Sequence, residues 1–246
     1  MDDIGTLGED LLLLSIRPDQ GKIATVHQID YGLMGAELVR LAASGRIDIA
    51  DDRIVVRDSA ATGDAELDAA LGSIAQARRP PRPRNWVGRP RHGIRDAYLA
   101  RLVSAGVVQA EPGGIFGRAR WRIAAPARVA DTRARLDAIA TSGGNVDTAE
   151  AAFGGLAHAV GLDRVLYPGS GGRQQRKRLT EVAKGQWTAT AVAGAVTDSV
   201  RSATDAAIRA STAAATQAAV DAAVQGAIAA STAAAGHAGA GGHGHH

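Results

Sequence analysis

The chain contains no cysteine, which excludes disulfides, thiolate metal sites and cysteine nucleophiles and gives no support to an oxidising compartment. Aromatic bulk is scarce as well. Two Phe, three Trp and three Tyr in 246 residues leave Leu, Val, Ile and Ala to fill any core, and a mostly helical fold suits that supply. Lysine stands only at positions 22, 177 and 184 among 28 cations, so the basic chemistry is almost wholly guanidinium. Long apolar runs are missing: the leucine block at 11–14 is short and follows an acidic start with no basic leader region. Farther on, Asp198, Arg201, Asp205, Arg209 and Asp221 break up the alanine-rich tail, which excludes a membrane span there. We therefore expect a cytoplasmic chain with one domain of about 190 to 200 residues followed by a tail.

The usual catalytic signatures are absent too. His27, His92 and His158 lie far apart in sequence and none sits in a metal-ligand spacing such as HExxH. The loop PGSGG at 168–172 lacks the Lys-Ser/Thr ending of a phosphate loop, and no GxSxG nucleophile elbow occurs. The histidine-bearing C-terminus, HAGAGGHGHH, is read as disordered rather than as a metal site. No enzyme, cofactor or metal is expected.

What is present reads as a series of helices and two hairpins. Thr6 and Glu9 around Leu7-Gly8 form a capping-box pattern for a helix to about Ile16, ended by Pro18. A turn at 19–21 leads to a helix near 29–43, with Gly45 as its left-handed cap. Residues 46–56 alternate around Asp51-Asp52 as a hairpin does. Asp64 caps a helix over 61–71, and Asp64 with Asp68 reads as cap plus solvated face rather than as a catalytic pair. Beyond a linker at 78–90, helices are expected at 93–105, 127–140, 147–160 and 173–184, with a second hairpin after Gly106. Val192, Val196, Val200, Val220, Val224 and Ile228 put a thin apolar stripe on a helical, Ala-rich tail.

One stretch stands out by charge. RRPPRPRNWVGRPRHGIRDAYLAR, residues 78–101, holds eight arginines and one histidine against a single acid, Asp96. Arg91, His92 and Arg95 fall around the first turn of a helix, where unpaired backbone amides also attract anions. Three readings remain open: a solvated proline-rich linker, a face for anionic headgroups, and a winged helix-turn-helix for nucleic acid. In the last, Arg118, Arg120 and Arg122 would sit on the wing.

The segments GEDLLLLSI, GLMGAELVRLAASGRIDI, TGDAELDAAL, NWV, LARLVSAGVV and GLAHAVGLDRVL, in that order, resemble the Golgi phosphoprotein 3 family over roughly residues 6–202. The resemblance implies a single mainly α domain, a helical bundle wrapped by amphipathic helices, with a hairpin that contributes to self-association. It further implies a peripheral membrane protein that binds phosphatidylinositol 4-phosphate and retains glycosyltransferases. The family's lipid pocket uses a tryptophan before the second helix, an arginine in a GLRG motif and two basic residues three apart. Those places are taken here by Thr25 or Val26, by Met34, and by His92 with Arg95, of which Arg95 alone is a clean match.

These readings combine into one expectation. The fold is mainly α, a single domain over 1–202 with two short hairpins, and 203–246 form an Ala/Gly/His-rich tail, helical and then disordered. The protein is a non-enzymatic peripheral adaptor on the cytoplasmic face of a membrane. Arg84, Arg89, Arg91, His92 and Arg95 meet anionic phospholipid, by resemblance phosphatidylinositol 4-phosphate, while Ile115, Phe116 and Arg118 at the hairpin tip contact the membrane or a second copy. Tails of membrane enzymes are candidate partners. A winged-helix nucleic-acid binder, ranked lower, and a protein scaffold without lipid binding are the alternatives.

Overall fold

The computed structural model describes residues 6–25, 28–112, 119–144, 146–184, 197–206, 208–210, 213–214 and 217. Two compact units divide at Thr204, Met1–Thr204 and Asp205–His246. The described residues of the second unit are helical. The hairpin-tip residues Ile115, Phe116 and Arg118, and the tail positions Val192, Val196, Val220, Val224 and Ile228, lie outside the described residues.

The first unit is mainly α, built around a helix that is apolar on nearly every side. In α1 (Leu7–Ser15), Leu7, Leu11, Leu12 and Leu13 are at most 1% exposed, as a helix surrounded by others requires. Helix α2 (Ile29–Ala43) packs along it and buries Ile29, Leu33, Met34, Leu38 and Leu41. Helices α5 (Ile94–Ser104), α6 (Pro126–Thr141) and α7 (Thr148–Ala159) also pack against α1. Outside them, α9 (Arg173–Lys184) lies on α6 and α7, and α3 (Ala65–Ala75) lies on α2. The short α4 (Pro83–Val87) and α8 (Leu162–Leu166) connect longer elements. Among the described residues no helix is long and apolar enough to cross a membrane.

Close helix contact depends on small residues. A Cβ on Gly8 would lie 2.3 Å from Cε1 of the buried Tyr98, so α1 and α5 approach only because that position is bare. At Gly154 the same atom would meet Ile139 Cγ2 at 2.9 Å and Leu179 Cδ2 at 3.2 Å, where α6, α7 and α9 converge.

Among the described residues three two-stranded antiparallel sheets decorate the bundle, one more than the sequence pattern indicates. The additional pair, β1 (Ile16–Arg17) with β2 (Lys22–Ile23), has strands too short to show an alternation. Its turn is tied down from outside, since Trp121 N–H donates to the Gly21 carbonyl at 2.9 Å. Strands β3 (Ile47–Ala50) and β4 (Arg53–Val56) turn through Asp51 and Asp52, both at positive φ, as two-residue hairpin loops demand. Strands β5 (Val108–Glu111) and β6 (Arg120–Ile123) follow α5.

Several local expectations are corrected. Thr6 makes no capping bond: its hydroxyl donates to Asp10 Oδ2 at 3.0 Å, and Glu9 turns to Arg101 at 2.7 Å. Among the described residues a capping box is found instead at α7, where Asp147 and Glu150 each accept from the other's backbone N–H. Asp64 does cap α3, accepting from the N–H of Glu66 and Leu67, but its face is not simply solvated. Arg40 reaches it at 2.8 Å and Arg101 at 2.9 Å. Burial works against the charge of Asp64, but the two guanidiniums prevail and hold its carboxyl below the usual range. The 78–90 segment is not a plain linker. It contains α4, which Pro83 begins at a position where its missing N–H costs nothing.

Candidate anion-binding cavity

The proline-broken segment is laid along the edge of β4. Ile54 N–H donates to the Pro81 carbonyl at 2.8 Å, and Arg53 Nη1 donates to the Pro80 carbonyl at 2.7 Å. Helix α4 then turns Trp86 inward, where the half-buried ring packs on the core and its Nε1–H donates to Ser73 Oγ at 3.1 Å. Between this segment, β4 and α2 lies an open cavity of about 520 Å³. Its walls carry the guanidiniums of Arg53, Arg79, Arg82, Arg89 and Arg91, with Met34 and Trp86 as apolar lining.

These five arginines are not equivalent. Arg91 is held by carboxylates at the inner wall: Nη1 lies 2.5 Å from Glu37 Oε2 and Nη2 lies 2.6 Å from Glu37 Oε1, while Nη2 also reaches Glu66 Oε2 at 2.9 Å. Nη1 is in addition 3.9 Å from Met34 Sδ. Met34 and Glu37 are three residues apart on α2, so one helix face presents both to Arg91. Glu37 is 0% exposed. Burial pushes its carboxyl up to about 7, against the opposing pull of Arg91. At the rim, Arg82 lies 3.4 Å from Asp52 in an exposed pair, whereas Arg79 and Arg89 are exposed with no carboxylate partner among the described residues.

The sequence-derived site is thus only partly assembled. Arg89 and Arg91 line the cavity; Arg84 is exposed but outside the lining, and His92 is exposed in the turn that precedes α5 and is also outside the lining. Arg95 is engaged elsewhere, its Nε 2.9 Å from Asp30 Oδ1 and its Nη2 2.5 Å from Oδ2. Of the expected trio Arg91, His92 and Arg95, the two arginines are ion-paired with acids of α2 and α3, and His92 stands exposed. Sequence reasoning missed Arg53, Arg79 and Arg82 as cavity residues. The available signal was the proline run itself, which keeps the chain extended and able to lie along a strand edge.

Two further ionic clusters are structural. Asp10, 0% exposed on α1, is held by Arg128 at 2.5 Å and Arg135 at 2.8 Å. On β6, Arg122 bonds Glu111 at 3.0 Å and also Gln109, so that wing arginine is occupied within its own hairpin. Among the described residues no three His, Asp or Glu side chains are grouped to hold a metal ion.

What the cavity can do chemically is hold an anion against several guanidiniums beside an aromatic wall. Comparison with known proteins bears on what it belongs to. The family model described as Golgi phosphoprotein 3 (GPP34) matches residues 7–199. A vacuolar protein sorting-associated protein 74 from Eremothecium gossypii is 28% identical over 136 residues, an alignment taking in 45% of this chain. The chain spans only 41% of that relative's length. The family match, by contrast, runs from the first residues of α1, through α2, α3 and the cavity, to the helical residues after α9, and so this chain belongs to the Golgi phosphoprotein 3 (GPP34) family.

Proposed function

We propose that the protein is a peripheral membrane adaptor that binds anionic phospholipid headgroups through the cavity rim. One observation supports this most: Arg79 and Arg89, exposed and without carboxylate partners among the described residues, flank a cavity walled by Trp86 and three further arginines. Each basic residue near an anionic surface adds about 1 kcal/mol of attraction, so a handful suffices for reversible attachment. Membership of the family adds support for a Golgi-type membrane role, and phosphatidylinositol 4-phosphate is the headgroup the resemblance implies. The relative named for vacuolar protein sorting is consistent with tails of membrane proteins as further partners. Attachment at the cytoplasmic face of a membrane follows from this reading.

Nucleic acid is the competing anion. The occupation of Arg122 by Glu111 and Gln109 weighs against a wing that reads DNA, because those donors are already spent. Flotation with phosphatidylcholine vesicles containing phosphatidylglycerol tests the proposal. The double variant Arg79→Ala, Arg89→Ala is expected to bind about 30-fold more weakly than wild type. Unchanged flotation, or a DNA shift at the same salt with no vesicle binding, overturns it.

A further inference from the structure

Apart from the arginine-lined cavity, α1, α2, α3 and α5 meet at a polar cluster of their own. Asp64, the N-cap of α3, accepts from Arg40 Nη2 of α2 at 2.8 Å and from Arg101 Nη1 of α5 at 2.9 Å. Arg101 Nη2 continues to Glu9 Oε1 of α1 at 2.7 Å. The Arg101 guanidinium carbon stands 5.4 Å from the centre of the Tyr98 ring, and a Cβ on Gly8 would lie 3.0 Å from the phenol oxygen. Tyr98 Oη, Glu9 Oε2 and Arg40 Nη1 are all buried with no hydrogen-bond partner among the described residues. Tyr98 is 0% exposed, and burial, helped by the charges of Glu37 and Glu9, pushes its phenol above the ordinary value, so the O–H keeps its proton. An unpaired buried donor or acceptor is costly, and a fold of marginal stability does not leave three together uncompensated.

Charge and hydrogen bonding together define the missing partner. Glu9 and Asp64 balance Arg40 and Arg101, so the cluster is about neutral and draws in neither an anion nor a cation. Glu9 Oε2 accepts, Arg40 Nη1 donates, and the Tyr98 hydroxyl does both. A neutral group that donates, accepts and makes about three polar contacts inside a protein is a water molecule. We infer that one buried water is bound by Tyr98 Oη, Glu9 Oε2 and Arg40 Nη1, joining α5 to α1 and α2. It accepts from Arg40 Nη1, donates to Glu9 Oε2 and shares its third bond with the Tyr98 hydroxyl. By fixing Glu9 and Arg40 it keeps Arg101 and Arg40 on Asp64, and so holds the capped end of α3 on the bundle. The inference does not depend on the lipid reading.

Tyr98→Phe in the full-length protein tests this through the sign of its effect. Phenylalanine keeps the ring and its fit against Gly8 and removes only the hydroxyl. With the water bound, the variant takes away one of its contacts, and the folding constant from urea unfolding is expected to fall about fivefold. Without it, the variant removes an unpaired buried hydroxyl and the folding constant rises. An unchanged or raised constant overturns the inference. A crystal structure of wild type that resolves ordered solvent supplies the second reading. Solvent density is expected within about 3.2 Å of Tyr98 Oη and of both Glu9 Oε2 and Arg40 Nη1. No density there, or a phenol bonded directly to Glu9, overturns the inference even if Tyr98→Phe fails to fold.

Discussion

Replacing Arg91 by alanine should damage the fold before it damages any membrane contact. Glu37 is completely buried, and among the described residues Arg91 is the cation bonded to it, through two hydrogen bonds of 2.5 and 2.6 Å. Removing one partner of a buried pair and leaving the other charged costs about 3–5 kcal/mol. The bond to Glu66 adds less, because that carboxylate is 24% exposed and well screened. A total of about 4 kcal/mol is a large share of the 5–15 kcal/mol available to a domain, and corresponds to a fall in Tm of roughly 10 °C. The cost should depend on pH with a defined sign. Burial raises the folded-state value of Glu37 to about 7 from an unfolded 4.5, so the folded state binds the extra proton between those values. Stability from this group is present in full below the unfolded value and is lost as pH rises through the folded one. Without Arg91 to pull the value down, the variant's window extends higher and its total loss across that window is larger. Urea unfolding of wild type and Arg91→Ala at pH 5 and pH 8 reads both effects. A variant within about 1 kcal/mol of wild type at pH 8 would refute the reasoning, because an unpaired buried carboxylate cannot be that cheap.

The same logic applies to two other positions. Asp10→Ala removes the buried carboxylate shared by Arg128 and Arg135 but leaves two cations that reach solvent, and should cost about 1–3 kcal/mol in urea unfolding. Gly8→Ala places a methyl 2.3 Å from Cε1 and 2.8 Å from Cζ of Tyr98, and overpacking of this kind should cost about 1–3 kcal/mol, read as a lowered thermal midpoint.

Much of the fold is legible in the residues because it is written in short-range patterns. Helix α2 begins and ends where its apolar spacing and Gly45 place it, and α9 spans the expected 173–184. The hairpins β3–β4 and β5–β6 follow from alternation about a turn. Where the signal is only two residues long, as in β1–β2, or where a proline run hides a five-residue helix, as in α4, the pattern is silent. Thr6 shows the converse failure: a correct cap pattern lost to Asp10 and Arg101, because tertiary partners outbid a local hydrogen bond.

The sequence alone was enough to establish a cysteine-free, arginine-based, mainly helical chain of this family, and to mark residues 78–101 as its most basic stretch. It could not say which of those eight arginines have their charge met by a carboxylate of the fold. That was decided by contacts 25 to 65 residues away in the chain, from Arg91 to Glu66 and Glu37 and from Arg95 to Asp30. Periodicity tells where a side chain leaves its helix; only the tertiary approach of α2 and α3 to the 78–101 segment puts an acid within reach of a guanidinium, and so separates the arginines that hold the fold together from those left to meet an anion.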